Sequence, residues 1–188
     1  MEKSYREAVR RITQGEVGII PTDTLYGVVC DARNAKAVQK IYTIRKRDPQ
    51  KPCIILIGEA SQIKQFGINV DGKTTTILKK VWPGKVSVVL PCPLKKFQYL
   101  HRGTNSLAFR LPKNKKLAEF LKKTGPLVAP SANLEGTPPA TTISEARQYF
   151  GSHVDFYITA GRKQSLASTV VAIQDGKIRI IREGAKKL

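Results

Sequence analysis

The apolar residues of this chain come in short runs that alternate with helical periods, and that cadence restricts the fold more than any other feature. "VGIIP", "PCIILIG", "VSVVLP", "SLAFRLP", "PLVAPSAN" and "DFYITAG" have the length and β-branched content of strands. Between them stand segments with apolar residues three and four apart. A first helix over about 3–14 carries Tyr5, Ala8, Val9 and Ile12 and stops at Gly15. A second, over 35–47, carries Ala37, Val38, Ile41, Tyr42 and Ile44 behind an Asn34 cap. Helical pieces follow near 60–66 and 74–82, then in "NKKLAEFLKKTG" and "ISEARQYFG". "STVVAIQDGKIRIIREG" reads as two strands joined at Asp175-Gly176. Parallel strands need a long crossover, whereas several of these adjoin through turns, so the class is α/β with a mixed sheet. With 188 residues and neither repeat nor linker, the chain reads as a single domain over 1–188.

Charge sets the partner class. Thirty-three Lys and Arg against fourteen Asp and Glu give a formal charge of +19, which suits a polyanion: nucleic acid, nucleotide phosphates, or both. Lys115, Lys116, Lys122 and Lys123 have a plainer account as the polar face of a helix. The three cysteines, Cys30, Cys53 and Cys92, are far apart, and with only two histidines they form no zinc pattern. They read as reduced, buried thiols. No apolar run is long enough to span a bilayer and "MEKSYREAVRRITQGE" has no signal-peptide core, so a cytoplasmic protein without membrane partners is expected.

Polar residues collect where packing does not require them. "PTDTLYG" follows the first strand with Thr22, Asp23, Thr24 and Tyr26. "IRKRDPQKP" places Arg45, Arg47 and Lys51 within seven positions at a helix end. Arg110 interrupts the apolar strand "SLAFRLP", "APSANLEG" carries Ser131 and Asn133, "ASTVV" starts on Ser168, and "IIREGA" ends on Arg182. Each has a local account: turn bonds for the Thr and Asp, helix-dipole complement for the cations, a turn cap for Ser131 and Asn133, strand-edge polarity for Ser168. Arg110 is harder to place, because an arginine in an apolar strand needs an anionic partner, from the protein or from a ligand. No glycine-rich phosphate loop is present, so a nucleotide would be held by side chains and strand-end turns.

In order, "PTDTLYGVVCDA", "IRKRDPQKPCIILI", "WPGKVSVVLP", "SLAFRLP", "PLVAPSANLEGTPPATT", "STVV" and "IREGA" resemble the YrdC/Sua5 family of L-threonylcarbamoyladenylate synthases, in its short single-domain form. The resemblance implies a twisted open mixed sheet flanked by helices, with a basic concave face. It implies a nucleotidyltransferase that joins L-threonine, bicarbonate and ATP into threonylcarbamoyl-AMP and pyrophosphate, for modification of adenosine 37 in ANN-decoding tRNAs. Mg²⁺ is expected with the ATP. By position, Thr22, Arg110 and Ser168 correspond to threonine contacts, Arg110 facing the carboxylate. Arg45, Arg47, Ser131 and Asn133 correspond to the family's K-x-R and S-x-N residues around ATP, with catalytic roles. Ser106 and Arg182 correspond to further ATP contacts, and Lys51 fits a phosphate-facing role. Two departures stand out: Arg45 replaces the usual Lys, and Pro139-Ala140 replaces the usual Ser-Pro. The implied partners are tRNA or double-stranded RNA and the downstream threonylcarbamoyl-transfer proteins. The competing reading is a non-catalytic RNA-binding or ribosome-associated factor.

Overall fold

Gly15, at φ 86°, ends helix α1 (Lys3–Thr13) in the left-handed region and turns the chain into strand β1 (Gly18–Pro21). The computed structural model describes residues 3–174 and 176–188, so Asp175, half of the turn read from the sequence, lies outside the described residues. Strand β2 (Tyr26–Asp31) folds straight back on β1, with Ile20 opposite Gly27 and Pro21 opposite Tyr26. The polar stretch after the first strand is therefore a hairpin connection. The chain continues through α2 (Ala35–Ile44), β3 (Ile54–Leu56), α3 (Gly72–Val81), β4 (Val86–Pro91), α4 (Gln98–His101), β5 (Ser106–Arg110) and α5 (Lys115–Thr124). It ends with β6 (Leu127–Val128), α6 (Ile143–Phe150), β7 (Phe156–Tyr157), β8 (Thr169–Gln174) and β9 (Lys177–Arg182). The helical piece near 60–66 is a 3₁₀ segment, Ala60–Phe66, closed by Gly67 at φ 69°.

Helix starts follow the caps. Asn34 accepts the Ala37 amide at 3.1 Å, and Asn114 accepts that of Leu117 at 3.0 Å. Asp71 does the same for α3, and Thr142 for α6.

The strands form one mixed sheet in the order β7-β1-β2-β6-β3-β5-β4-β8-β9. β1–β7, β3–β5 and β4–β8 run parallel and the remaining neighbours antiparallel. One face packs Ile19, Val28, Ile55, Val88, Phe109 and Val171 against α2, α3, α4 and α6 in the main core. The opposite face carries Ile20, Val29, Leu56 and Leu127, which α1 and α5 cover with Ile12, Leu117, Phe120 and Leu121. Each such fully buried side chain contributes roughly 1.5–3 kcal/mol from area removed from water. Gly58 is needed at this contact, because a Cβ there would lie 2.5 Å from the Lys122 amide nitrogen. Both covering helices sit over the β1-β2-β6-β3 half. The β5-β4-β8 half of the same face has neither above it, and that gap positions the site. Among the described residues, no helix is long and apolar enough to cross a membrane.

Candidate functional site

A cavity of about 480 Å³ occupies the uncovered half of the sheet. Strand alternation builds its floor. Along β5, Ser106, Ala108 and Arg110 face the cavity while Leu107 and Phe109 enter the main core. Ile54, Val89 and Val170 complete the floor from neighbouring strands. The lining takes in strand-end residues such as Arg110, Ser168 and Arg182, and the space also runs along the sheet face. The signal was present in "SLAFR", where small or polar residues alternate with large apolar ones, as happens when only one face is packed.

The first wall is the hairpin connection. Thr22 is buried, and its hydroxyl donates to the Leu25 carbonyl at 2.7 Å while accepting the amides of Thr24 and Leu25 at 3.2 Å each. That is a side-chain-to-backbone turn. Tyr26 is fully buried and donates its phenol hydrogen to the Ala160 carbonyl, with the Ala160 amide returning a bond at 3.0 Å. The tyrosine thus ties β2 to the segment after β7. Gly27 allows close approach, since a Cβ there would meet Thr22 Cγ2 at 3.3 Å and the Pro130 carbonyl oxygen at 3.5 Å.

Arg110 ends β5 almost fully buried. Its Nη2 lies 3.1 Å from Asp23 Oδ1, and its Nη1 donates to Thr24 Oγ1 at 3.2 Å. Nε has no partner, and neither Asp23 oxygen receives a well-directed hydrogen bond despite the close charge. The pair is a charge contact and not a two-point fork. Burial pushes the Arg110 guanidinium down from its ordinary value; Asp23 opposes this, and the nearby Arg182 charge adds to it.

Opposite, Ser168 shares a 2.8 Å hydrogen bond with the fully buried Ser87. Arg182 Nη2 donates to the Ser168 carbonyl at 2.8 Å. The β8–β9 register shifts between Val170 and Val171, and this bulge brings two consecutive residues, Ile181 and Arg182, to the cavity. Burial, then the charge of Arg47, lowers the Arg182 pKa. Arg47 is held by the carbonyls of Lys51 at 3.1 Å and Pro52 at 3.0 Å, and stands 3.4 Å from Glu135. Ser106 donates to Thr104, a lining residue the sequence reading missed.

Thr22, Arg47, Ser106, Arg110, Ser131, Ser168 and Arg182 thus share one lining. Arg45, Asn133 and Lys51 stand outside it. Arg45 is buried, donating from Nε to the Asn133 carbonyl at 2.9 Å and from Nη2 to Asn133 Oδ1 at 3.1 Å. Ser131 donates to the same Oδ1 at 2.6 Å, and Asn133 Nδ2 is spent on the Leu134 and Thr137 carbonyls. Lys51 pairs with Glu135 at 3.0 Å on the surface. Cys30, Cys53 and Cys92 are free and buried, as expected.

Three guanidiniums face a lining that contains, among the described residues, no carboxylate. Such a cavity suits an anion, with arginine forks matching phosphate or carboxylate oxygens. Among the described residues, no group of three or more His, Cys, Asp or Glu could hold a metal ion.

Comparison with known proteins gives the family. The model of the family described as "Telomere recombination", comprising Sua5, YciO and YrdC, matches residues 10–184. A Coxiella burnetii protein named threonylcarbamoyl-AMP synthase is 31% identical over 81% of this chain and 83% of its own length. A Halorhodospira halophila protein of the same name is 29% identical over 92% of this chain and 90% of its own. A structure of P. abyssi Sua5 complexed with L-threonine superposes with a TM-score of 0.87 at 26% identity, covering 96% of this chain. The chain spans only 54% of that longer protein.

Proposed function

This chain belongs to the Sua5/YciO/YrdC family, and on that premise we propose that it is an L-threonylcarbamoyladenylate synthase. The observation that carries the reading is the cavity that gathers Arg47, Arg110 and Arg182 with the hydroxyls of Thr22, Ser106, Ser131 and Ser168 and, among the described residues, no carboxylate in its lining. Its substrates are L-threonine, bicarbonate and ATP, and its products threonylcarbamoyl-AMP and pyrophosphate. Magnesium enters as MgATP, since it keeps several waters and needs only the phosphates and few protein oxygens.

In this reading Arg110 receives the threonine carboxylate, exchanging part of its contact with Asp23 and Thr24 for a ligand fork. Ser168 lies across the cavity, and Thr22, whose hydroxyl serves the turn, shapes the wall beside the amino acid. Arg47 and Arg182 flank the triphosphate, with Ser106 and Ser131 offering hydroxyls to the nucleotide. Arg45 and Asn133 act by holding Ser131, and Lys51 attracts phosphate from the rim.

The amine nitrogen of threonine attacks the bicarbonate carbon and water leaves, giving a carbamate. A carbamate oxygen then attacks the α-phosphorus, and the bond to the β-phosphate oxygen breaks to release pyrophosphate. No side-chain nucleophile takes part. The protein supplies proximity and charge stabilisation, with Arg47 and Arg182 offsetting charge that grows on the phosphates.

The formal charge of +19 suits a tRNA partner, whose recognition would weaken steeply with salt. The test of function is pyrophosphate release from protein mixed with threonine, bicarbonate and MgATP. Release should need all three; release without threonine, or none at all, overturns the synthase reading.

A further inference from the structure

β9 is the last strand of the sheet, and among the described residues no strand pairs with its outer edge. All six of its residues, Lys177–Arg182, are exposed. Edge strands of this kind template the addition of another strand, and proteins usually blunt or cover them. Here Lys177, Arg179 and Arg182 charge one face, while the other keeps apolar side chains: Ile178 is 37% exposed and Ile180 42%.

The register with β8 sorts its side chains. Ile178 stands opposite Ile173 and Ile180 opposite the fully buried Val171, so both isoleucines belong to the helix-covered face. Lys177 lies opposite Gln174, Arg179 opposite Ala172 and Arg182 opposite Val170, which lines the cavity; these cations therefore share the cavity face. One face of the edge is oily and the other positive.

From this we infer that β9 is the docking edge for an extended peptide segment of a partner protein in which acidic residues alternate with apolar ones. Added as a tenth strand, such a segment takes the free backbone groups of the edge. It sets its apolar residues beside Ile178 and Ile180, and its carboxylates beside Lys177 and Arg179. A second copy of this chain fits poorly, since pairing β9 with itself brings cations against cations. A nucleic acid would answer the charge but leaves the strand edge and the isoleucines uncovered. The bulge carries Ile181 and Arg182 from the same edge into the cavity lining, so the partner would sit at the rim of the site. This inference does not depend on the reaction proposed above.

The test uses the full chain and a short fluorescein-labelled peptide alternating glutamate with valine, read by anisotropy. Methylating alternate backbone nitrogens of the peptide should weaken binding at least tenfold, because it removes strand pairing while keeping charge. Arg179→Glu, and separately Lys177→Glu, should also weaken it at least tenfold, with an unchanged melting temperature. The double variant should prefer a lysine–valine peptide. Amide hydrogen exchange in 177–182 should slow when peptide is bound. Equal binding of the methylated peptide, or protection confined to other strands, overturns the inference. So does a short RNA duplex that loses tenfold affinity with Arg179→Glu while the peptide does not bind.

Discussion

Arg45 grips Asn133 at two points, through the backbone carbonyl at 2.9 Å and the side-chain Oδ1 at 3.1 Å. Ser131 donates to the same Oδ1 at 2.6 Å, so one buried guanidinium sets the orientation of the S-x-N turn and through it the cavity-lining hydroxyl. The resemblance placed Arg45 and Asn133 beside ATP. In this structure they form a latch outside the cavity lining, a use for which a planar fork is suited and a lysine point charge is not.

Arg45→Ala should therefore lower stability by about 1–3 kcal/mol, the cost of leaving a buried acceptor short of a donor. Arg45→Lys should recover part of that, as one bond can be re-formed. Chemical denaturation measures both. In pyrophosphate assays the loss should fall on kcat, because the latch acts through Ser131 and not on threonine.

Arg110 serves both the fold and the proposed substrate. Arg110→Ala leaves Asp23, whose side chain is 8% exposed, without its cation and should cost about 3–5 kcal/mol. Arg110→Ala combined with Asp23→Ala should cost less than the sum of the single changes. On the catalytic side, the KM for threonine should rise more than that for ATP in Arg110→Ala. Equal rises would remove the carboxylate assignment.

Gly184 packs where no side chain fits. A Cβ there would lie 2.3 Å from the Ala167 carbonyl oxygen and 2.6 Å from the Ser168 carbonyl carbon, both backbone atoms. Gly184→Ala should push the chain after β9 away from the wall that carries Ser168. A loss of about 1–3 kcal/mol is expected, with weaker threonine binding measured by calorimetry.

Asp155 accepts the Val17 amide at 2.8 Å and pairs with Lys40 Nζ, joining α2 to the β1 and β7 ends. Partial burial pushes its pKa up, but Lys40 and the Val17 amide outweigh that and hold it below its ordinary value of 3.8. A depressed carboxylate stabilises above its unfolded pKa, and that contribution disappears as pH falls through the folded one. Urea denaturation should show Asp155→Asn less stable than the parent at pH 6. The gap should close as pH drops below the ordinary carboxylate range.

Much of the architecture was legible in one dimension. Strand runs, the Asn34 and Asn114 caps and the Gly15 stop act over a few residues, so local chemistry declares them. The turn at Thr22 was legible for the same reason, as was the mixed character of the sheet. Seven of the suspected site residues meet in one cavity. Their common trait in the sequence was polarity where packing did not call for it.

What the sequence could not state is which half of a sheet face stays uncovered. That depends on α1 and α5 meeting over β1, β2, β6 and β3, a contact between the two ends of a long stretch of chain. The division of the arginines depends on it too: Arg47, Arg110 and Arg182 reach the cavity, while Arg45 turns into the protein to hold Asn133. All four look alike in the chain, because charge and residue type are local properties. Burial and partner are not, and they decide what each guanidinium does.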